Sequence, residues 1–551
     1  MSMRAASRLT LAALAFPFAA GAQAPADSLE RHVDRVFQPF TAAGSPGCIV
    51  GVDRAGHAPL TKGYGLANLE YGVPLTGQSI SESGSVAKQF TAAAVALLHL
   101  EGKLSLDDDV RKHIPELPDF GAPITIRHLL THTSGLRDQW ALLGLMGRGP
   151  GSEVHTMAEI LDLASRQREL NFAPGSEYLY SNTGYVLAAL VVQRVSGMPF
   201  ARFSHERFFA PLGMTATQWR DDYRRVVPGR ATAYDRESSG WVQDMPFTMV
   251  HGNGGLLSSA ADLLRWNRAL TEGLLGRAEL TRLLETQQRL TDGRTIAYAL
   301  GLSVDSWRPG VREVGHGGST AGYRTYLARY PEAKASIAVF CNTATANPTS
   351  LAHRVMEVVL PRPASARKAP TPVAAEARAQ LAGTYRDPRT DDWLTIAATG
   401  DFLRIVGPSS DSLRDEGEGR FSTAGGLRLA FEPAGGKAER LRVEGSDGTV
   451  RALLAAPPVA AGDLTLADFA GSYHSPELGT TVVVRVVDGR LRARISPDDD
   501  VALTAAYRDG FRVGPSPATL RFTRGGDGKV NGLRAFAGRA RNVRFDRLPP
   551  A

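Results

Sequence analysis

The chain has 551 residues, 43% apolar and 22% charged, an ordinary globular composition that excludes a largely disordered or fibrous protein. Its length points to about three or four domains. The formal net charge of +7 is a weak field at this length, and only eight of the 63 basic residues are Lys, with no basic run, so composition gives no support to nucleic-acid binding.

Arg4 and Arg8 precede the apolar run Leu9 to Ala20, and Ala20-Gly21-Ala22 supplies small residues for a cleavage site. Residues 1–22 are therefore expected to be a signal peptide, with the mature chain starting at Gln23 and exported to a periplasm or beyond. An uncleaved membrane anchor is the alternative. The run is too short to span a bilayer, no later segment is long enough, and no Cys follows the cleavage site to take a lipid. No integral membrane segment is expected in the mature chain.

After a strand-like run at Gly47 to Asp53 comes Gly84-Ser85-Val86-Ala87-Lys88, which opens an apolar helical stretch ending at Gly102. Three residues apart on a helix, Ser85 and Lys88 share one face, so the amine reaches the hydroxyl it would deprotonate. An amine acts as a base near neutrality only when burial or positive charge lowers its pKa, and Val86, Phe90, Ala93 and Ala94 offer burial. Ser365 and Lys368 repeat the spacing, but in a Pro-rich stretch where no helix aligns them and no pocket dries them.

Tyr178-Leu-Tyr180-Ser-Asn182 stands just before the helical pattern Asn182 to Ser196, a position from which a phenol and an amide both project into a cleft. Gly315-His316-Gly317-Gly318-Ser319 follows, its glycines allowing a substrate backbone to approach and pair with a strand. Taken singly, Tyr180 reads equally as a capping or core residue and His316 as a satisfied turn histidine. Further strand-like runs lie at Arg324 to Tyr330 and Ser336 to Phe340. Cys48 and Cys341, the two cysteines, begin one apolar strand and end another; two buried thiols are expected, with a bridge as the alternative.

Pro361 to Pro372 marks a stiff linker, taken as residues 361–378. Beyond it, short alternating strands and Gly-rich turns contain a repeat: Leu381-Ala-Gly-Thr-Tyr385 returns as Phe469-Ala-Gly-Ser-Tyr473, and Leu403-Arg404 as Leu491-Arg492. Two small antiparallel β-barrels are expected, at 379–461 and 462–551, rather than one β-sandwich. The second copy carries an acidic segment, Asp498, Asp499 and Asp500, with no run of acids at the matching offset in the first.

Ser-x-x-Lys, then Tyr-x-Asn, then His-x-Gly in place of Lys-Thr-Gly resembles the serine penicillin-recognising enzymes, which include penicillin-binding proteins, class C β-lactamases, esterases of that fold and D-aminopeptidases. The resemblance runs from about residue 30 to 355, with Thr125 to Leu136 and Gly252 to Ser259 as further blocks. It implies an α/β catalytic domain at 23–360, an antiparallel sheet flanked by helices plus an all-helical subdomain; the two barrels after it resemble D-aminopeptidases in particular.

By this resemblance Ser85 attacks a carbonyl to form an acyl-enzyme, Lys88 is the general base and Tyr180 relays protons. Asn182 binds Lys88 and the substrate amide, and the backbone N–H groups of Ser85 and Ser319, beside His316, Gly317 and Gly318, hold the oxyanion. No metal or organic cofactor is implied, and His128, His132 and His316 lack metal-ligand spacing. A neutral His316 in place of Lys makes a carboxylate substrate less favoured.

The expected function is an exported serine hydrolase of small amides or short peptides, among them those of a D-stereospecific aminopeptidase. An esterase and a D-Ala-D-Ala carboxypeptidase or penicillin-binding sensor are the alternatives, and oligomeric state is left open. An α/β-hydrolase is disfavoured because no Gly-x-Ser-x-Gly is present. The resemblance also makes the first and last strands of the sheet neighbours, which would bring Cys48 and Cys341 together, and places a last-domain loop over the cleft. Asp498 to Asp500 are the candidate loop, drawing in a free α-amino group, unless they are a solvated hairpin tip.

Overall fold

The computed structural model describes residues 26–550 except 150, 152, 277, 361–371, 407–411, 424, 434–435, 446, 457–458, 460–463, 496–499 and 515–517. The expected signal peptide, most of the linker with Ser365 and Lys368, and Asp498 and Asp499 lie outside the described residues.

A six-stranded antiparallel sheet carries the first part of the chain. Its strands are β1 (Cys48–Arg54), β2 (Leu60–Tyr64), β3 (Ser303–Arg308), β4 (Val311–Thr320), β5 (Tyr323–Tyr330) and β6 (Ala335–Cys341), in the order β3-β4-β5-β6-β1-β2. β1 and β6 are buried almost throughout, which is why they read as continuous apolar runs rather than alternating ones. Helices Ala26–Phe37 and Pro348–Met356 cover one face through Val33, Phe37, Leu351 and Val355. Helix Ala260–Glu272 covers the other so closely that a Cβ on Gly51 would lie 2.9 Å from Leu264.

The pairing of β1 with β6 joins the two ends of this part of the chain and sets Cys48 directly opposite Cys341. Both are fully buried and joined by a disulfide. The expectation of two free thiols is therefore corrected: each cysteine does sit in an apolar strand, but the register puts them face to face with Cα atoms 4.0 Å apart, within bonding reach.

Beside the sheet lies the helical part, built around α1 (Lys88–Leu100) and α2 (Asn182–Ser196) with the shorter helices Ile126–Leu130, Gln139–Leu145 and Met157–Ser165. α1 has no polar face: every residue from Lys88 to Leu98 is buried, so it is a core helix and not an amphipathic one. The α/β architecture with a helical subdomain is thus the one expected.

The two repeats form two small antiparallel β units. In the first, eight strands curl from Phe402–Val406 round to Arg414–Gly417, and a bridge between Arg404 and Ser412 brings the edges together without full pairing. In the second, eight strands from Gly471–Ser475 to Ala540–Arg547 close into a barrel. The repeated Tyr does the same work in each: Tyr385 Oη donates to Leu381 O at 2.8 Å and Tyr473 Oη to Phe469 O at 2.7 Å, pinning the chain as it enters the unit. Helix Ala375–Leu381 takes up the last residues of the expected linker.

Both units dock on the catalytic part. Leu142, Leu143 and Ile160 share one apolar cluster with Leu533 and Ala535 of the closed barrel. At the centre of that junction Arg137, fully buried, pairs with Glu477 and donates to the carbonyls of Arg541 at 3.0 Å and Asn542 at 3.1 Å. A buried cation so surrounded is costly to leave unpaired, which fixes the docking geometry. The first unit touches the segment before β3: Ala297 N donates to Asp447 O and Arg294 to Gly448 O.

Candidate active site

Ser85 sits in a 3₁₀ turn, Gly84–Ala87, that leads into α1. The turn lies hard against β4, and two glycines permit it: a Cβ on Gly84 would be 2.6 Å from Ser319 N, and one on Gly318 would be 2.0 Å from Ser83 O. Gly84 also has φ +51°, where a side chain is strained. The contact brings the Ser85 loop beside Gly318 and Ser319. From His316 onward β4 has no partner on its β3 side, because β3 pairs only as far as Gly315. That open edge runs along a cleft of about 900 Å³ lined by Ser85, Trp140, Tyr180, Asn182, His316 and Ser319.

Lys88 is buried, and its Nζ lies 3.1 Å from Ser85 Oγ, 2.9 Å from Asn182 Oδ1 and 2.5 Å from Asn253 O. Burial pushes its pKa well below the ordinary lysine value; Asp138 opposes that shift and Arg539 adds to it. The amine also sits 4.8 Å from the centre of the Tyr180 ring. A neutral amine there accepts the Ser85 proton along a hydrogen bond already made.

The block from Gly252 to Ser259 supplies the Asn253 carbonyl: Gly252 O accepts from Thr91 on α1 at 2.7 Å, and a Cβ on Gly252 would be 2.7 Å from Ala189 on α2. Asn182 opens α2 and is oriented by a residue that sequence reasoning missed. Asp138 Oδ2 accepts from Asn182 N at 2.7 Å and from its Nδ2 at 2.8 Å, which leaves Oδ1 turned to Lys88. The other oxygen caps helix Gln139–Leu145 by accepting from Trp140 N and Ala141 N.

Tyr180 lines the cleft with Ser85, its hydroxyl out of solvent. Burial raises its pKa, while Ser85 and the Arg539 guanidinium pull it down. His132, from the Thr125 to Leu136 block, stacks on the Tyr180 ring at 4.0 Å and accepts from Ser181 N through Nδ1 at 3.1 Å, holding both Tyr180 and Asn182 in place. It is a positioning residue. His128 lies apart, its Nδ1 taken by Thr125 N in a capping box.

His316 is buried and hydrogen-bonded on both nitrogens, to Tyr298 Oη at 2.8 Å and Gly317 O at 2.5 Å. Burial, with Lys88 adding to it, lowers its pKa to about 4, so it is neutral at pH 7. Tyr298 was also missed. It belongs to the segment that the first β unit holds, and its ring packs on His132 and Tyr178.

Asp500 does not reach the cleft. It stays on the closed barrel, paired with Arg492 at 2.7 Å and Arg485 at 3.5 Å, from two neighbouring strands of that barrel. Asp498 and Asp499 lie outside the described residues, and the hairpin of the same barrel that does line the cleft is a different one, of opposite charge. Gly538-Arg539, the turn between strands Val530–Ala537 and Ala540–Arg547, enters the cleft, and its guanidinium lies 4.6 Å from the Tyr180 ring.

A nucleophile-bearing turn, a buried lysine one helical turn on and an open strand edge across the cleft define a serine hydrolase of the penicillin-recognising kind. Residues 33–360 match the family model described as Beta-lactamase, and the chain belongs to that family. It is similar to the D-aminopeptidase of Cereibacter sphaeroides, 26% identical over 537 residues that cover 95% of this chain and 99% of that one. It is also similar to penicillin-binding protein 4* of Bacillus subtilis, 30% identical over 296 residues that cover 51% of this chain and 64% of that one. Among solved structures, the octameric penicillin-binding protein homologue from Pyrococcus abyssi superposes with a TM-score of 0.55 at 25% identity, over 78% of this chain and 99% of its own.

Proposed function

We propose that the chain is an exported hydrolase of small amides or short peptides that works through an acyl-enzyme on Ser85, with preference for a D-configured acyl residue. The observation that carries this reading is Lys88: a buried amine, discharged by its surroundings, hydrogen-bonded to Ser85 and Asn182 together.

Ser85 Oγ attacks the carbonyl carbon and its proton passes to Lys88 Nζ. The oxyanion lies between the N–H groups of Ser85 and Ser319, and Asn182 and the free edge of β4 hold the acyl chain extended. Tyr180, exchanging protons with Lys88, protonates the leaving nitrogen, whose departure leaves the ester on Ser85. Water then attacks that ester, giving its proton back through Tyr180 and Lys88, and Ser85 recovers its own. The amide preference and the D configuration draw support from the D-aminopeptidase relative, which aligns along 95% of the chain, both β units included. Export draws support from the Arg4 to Ala22 pattern and from the Cys48–Cys341 bridge, of a kind that persists in oxidising compartments.

The test is turnover of D- and L-amino-acid amides, p-nitrophenyl esters and a chromogenic cephalosporin by the purified mature protein, with covalent labelling by a fluorophosphonate. D-amides are expected to exceed L-amides by about tenfold or more in kcat/KM. Ser85→Ala abolishes labelling and Ser365→Ala does not. Label that persists after Ser85→Ala overturns the assignment.

A further inference from the structure

Beside the scissile position the cleft carries a charge that the catalytic domain does not supply. Of the two guanidinium groups that line it, Arg220 is neutralised by Glu82, whose carboxylate it grips at 2.9 Å through Nε and again through Nη2. Arg539 has no carboxylate partner among the described residues. Glu153, the acid near the cleft rim, is taken by Arg148. Asp244 also lines the cleft, without a salt bridge among the described residues and with Arg324 as its neighbouring cation; Arg539, unlike Asp244, is among the charges felt at Lys88, Tyr180 and His132, beside Asp138 at the first two and Lys88 at the third.

Arg539 is held in place rather than draped there. Its carbonyl accepts from Asp138 N at 3.1 Å and from Asn171 Nδ2 at 3.0 Å, and Asn171 Oδ1 accepts in turn from Arg541 N at 2.8 Å. Asp138 is the residue that orients Asn182, so the hairpin tip and the amide-binding side chain are fixed to one support. The guanidinium is left on the open side, above the Tyr180 ring, exposed to whatever enters. A planar fork presented this way matches a carboxylate with two parallel hydrogen bonds.

We propose that Arg539 is a specificity residue that receives a carboxylate carried by the substrate close to the scissile bond. The inference rests on the proposed function for the position of that bond. It reverses the expectation drawn from a neutral His316: the cation missing from the strand arrives from the last barrel instead. It also sets a free α-ammonium at a disadvantage in this cleft, so the preferred substrates are acidic rather than amino-terminal. The carboxylate has two possible sources, the acyl side, as in a dicarboxylic acyl group or an acidic side chain, and the leaving side, as in the terminus of a short peptide.

Equilibrium binding to the full-length Ser85→Ala chain tests this without turnover, read by calorimetry or by Trp140 fluorescence. Four probes separate the sources: N-acetyl-D-alanyl-D-alanine, its C-terminal amide, N-succinyl-D-alanine methylamide and D-alanine methylamide. At least one carboxylate probe is expected to bind about five- to tenfold tighter than the neutral amide, and the margin shrinks as salt is raised. Arg539→Gln brings that ratio to about one, and Arg539→Lys retains part of it. Equal ratios in wild type and Arg539→Gln, or tightest binding by the ammonium probe, overturn the proposal. Charge selectivity in a chain whose Ser85 takes no label would leave this inference standing and the proposed function fallen; labelling with four equal affinities would do the reverse.

Discussion

Asp138, buried behind Asn182, accepts four hydrogen bonds, two from Asn182 and two from the first turn of a helix. Its negative charge also raises the pKa of Lys88 against the pull of burial. The rate requires Lys88 as the free amine, so it falls as pH drops through the Lys88 pKa. Asp138→Asn removes the charge, and the acid limb of the kcat/KM profile is expected to move to lower pH. At the same time kcat falls by about tenfold or more, because an amide in place of the carboxylate cannot accept from both Asn182 donors and cap the helix at once. A merely structural role would lower activity at every pH and leave the limb where it was. Ser85, Lys88, Tyr180 and Asn182 were legible in the sequence because each pair lies within one helical turn or one strand-to-helix step. Asp138, Tyr298 and Arg539 were not. Their roles arise from packing between segments, and Arg539 lies 368 residues from Asn171, the side chain that donates to its carbonyl.

At the scale of elements, the site depends on a turn and a strand pressed together with no side chain between them. Gly318→Ala would place a Cβ 2.0 Å from Ser83 O, against backbone that neither element can withdraw without moving Ser85 or Ser319. The substitution is expected to cost about 2–3 kcal/mol in unfolding free energy and to slow fluorophosphonate labelling of Ser85 by tenfold or more. At Gly317 the nearest atom to an added Cβ is on Tyr326 at 4.0 Å, so Gly317→Ala is expected to stay within about 0.5 kcal/mol of wild type in urea unfolding. The run Gly315 to Ser319 announced a close backbone approach, but not which glycine met which neighbour. The β repeats were legible as strands, since their alternation survives in half-buried sheets. Whether each sheet closed was not, because closure depends on the edges: the second unit pairs its first and last strands, while the first is joined by a single bridge.

Across the whole molecule, the Cys48–Cys341 bridge spans 293 residues of chain. A cross-link over so long a loop removes much of the freedom of the unfolded chain. Reduction, or Cys48→Ser with Cys341→Ser, is expected to lower unfolding free energy by about 2–4 kcal/mol in guanidinium titrations. Thiol counting in denaturant without reductant should find no free thiol; two would exclude the bridge. The residues alone favoured two thiols, because Cys in an apolar strand commonly serves as a small core side chain, and only the register of β1 against β6 shows the bridge instead.

The same bridge makes the catalytic domain a covalent ring. Ser85, Lys88, Asp138, Tyr180, Asn182, His316 and Ser319 all lie on the ring, whereas Arg539 rides on the open tail beyond Cys341. A single protease nick inside the ring leaves its pieces tied until a reductant is added; a nick after it lets the tail go. Trimming the tail would therefore strip one guanidinium from the cleft without opening the loop of chain that carries the nucleophile.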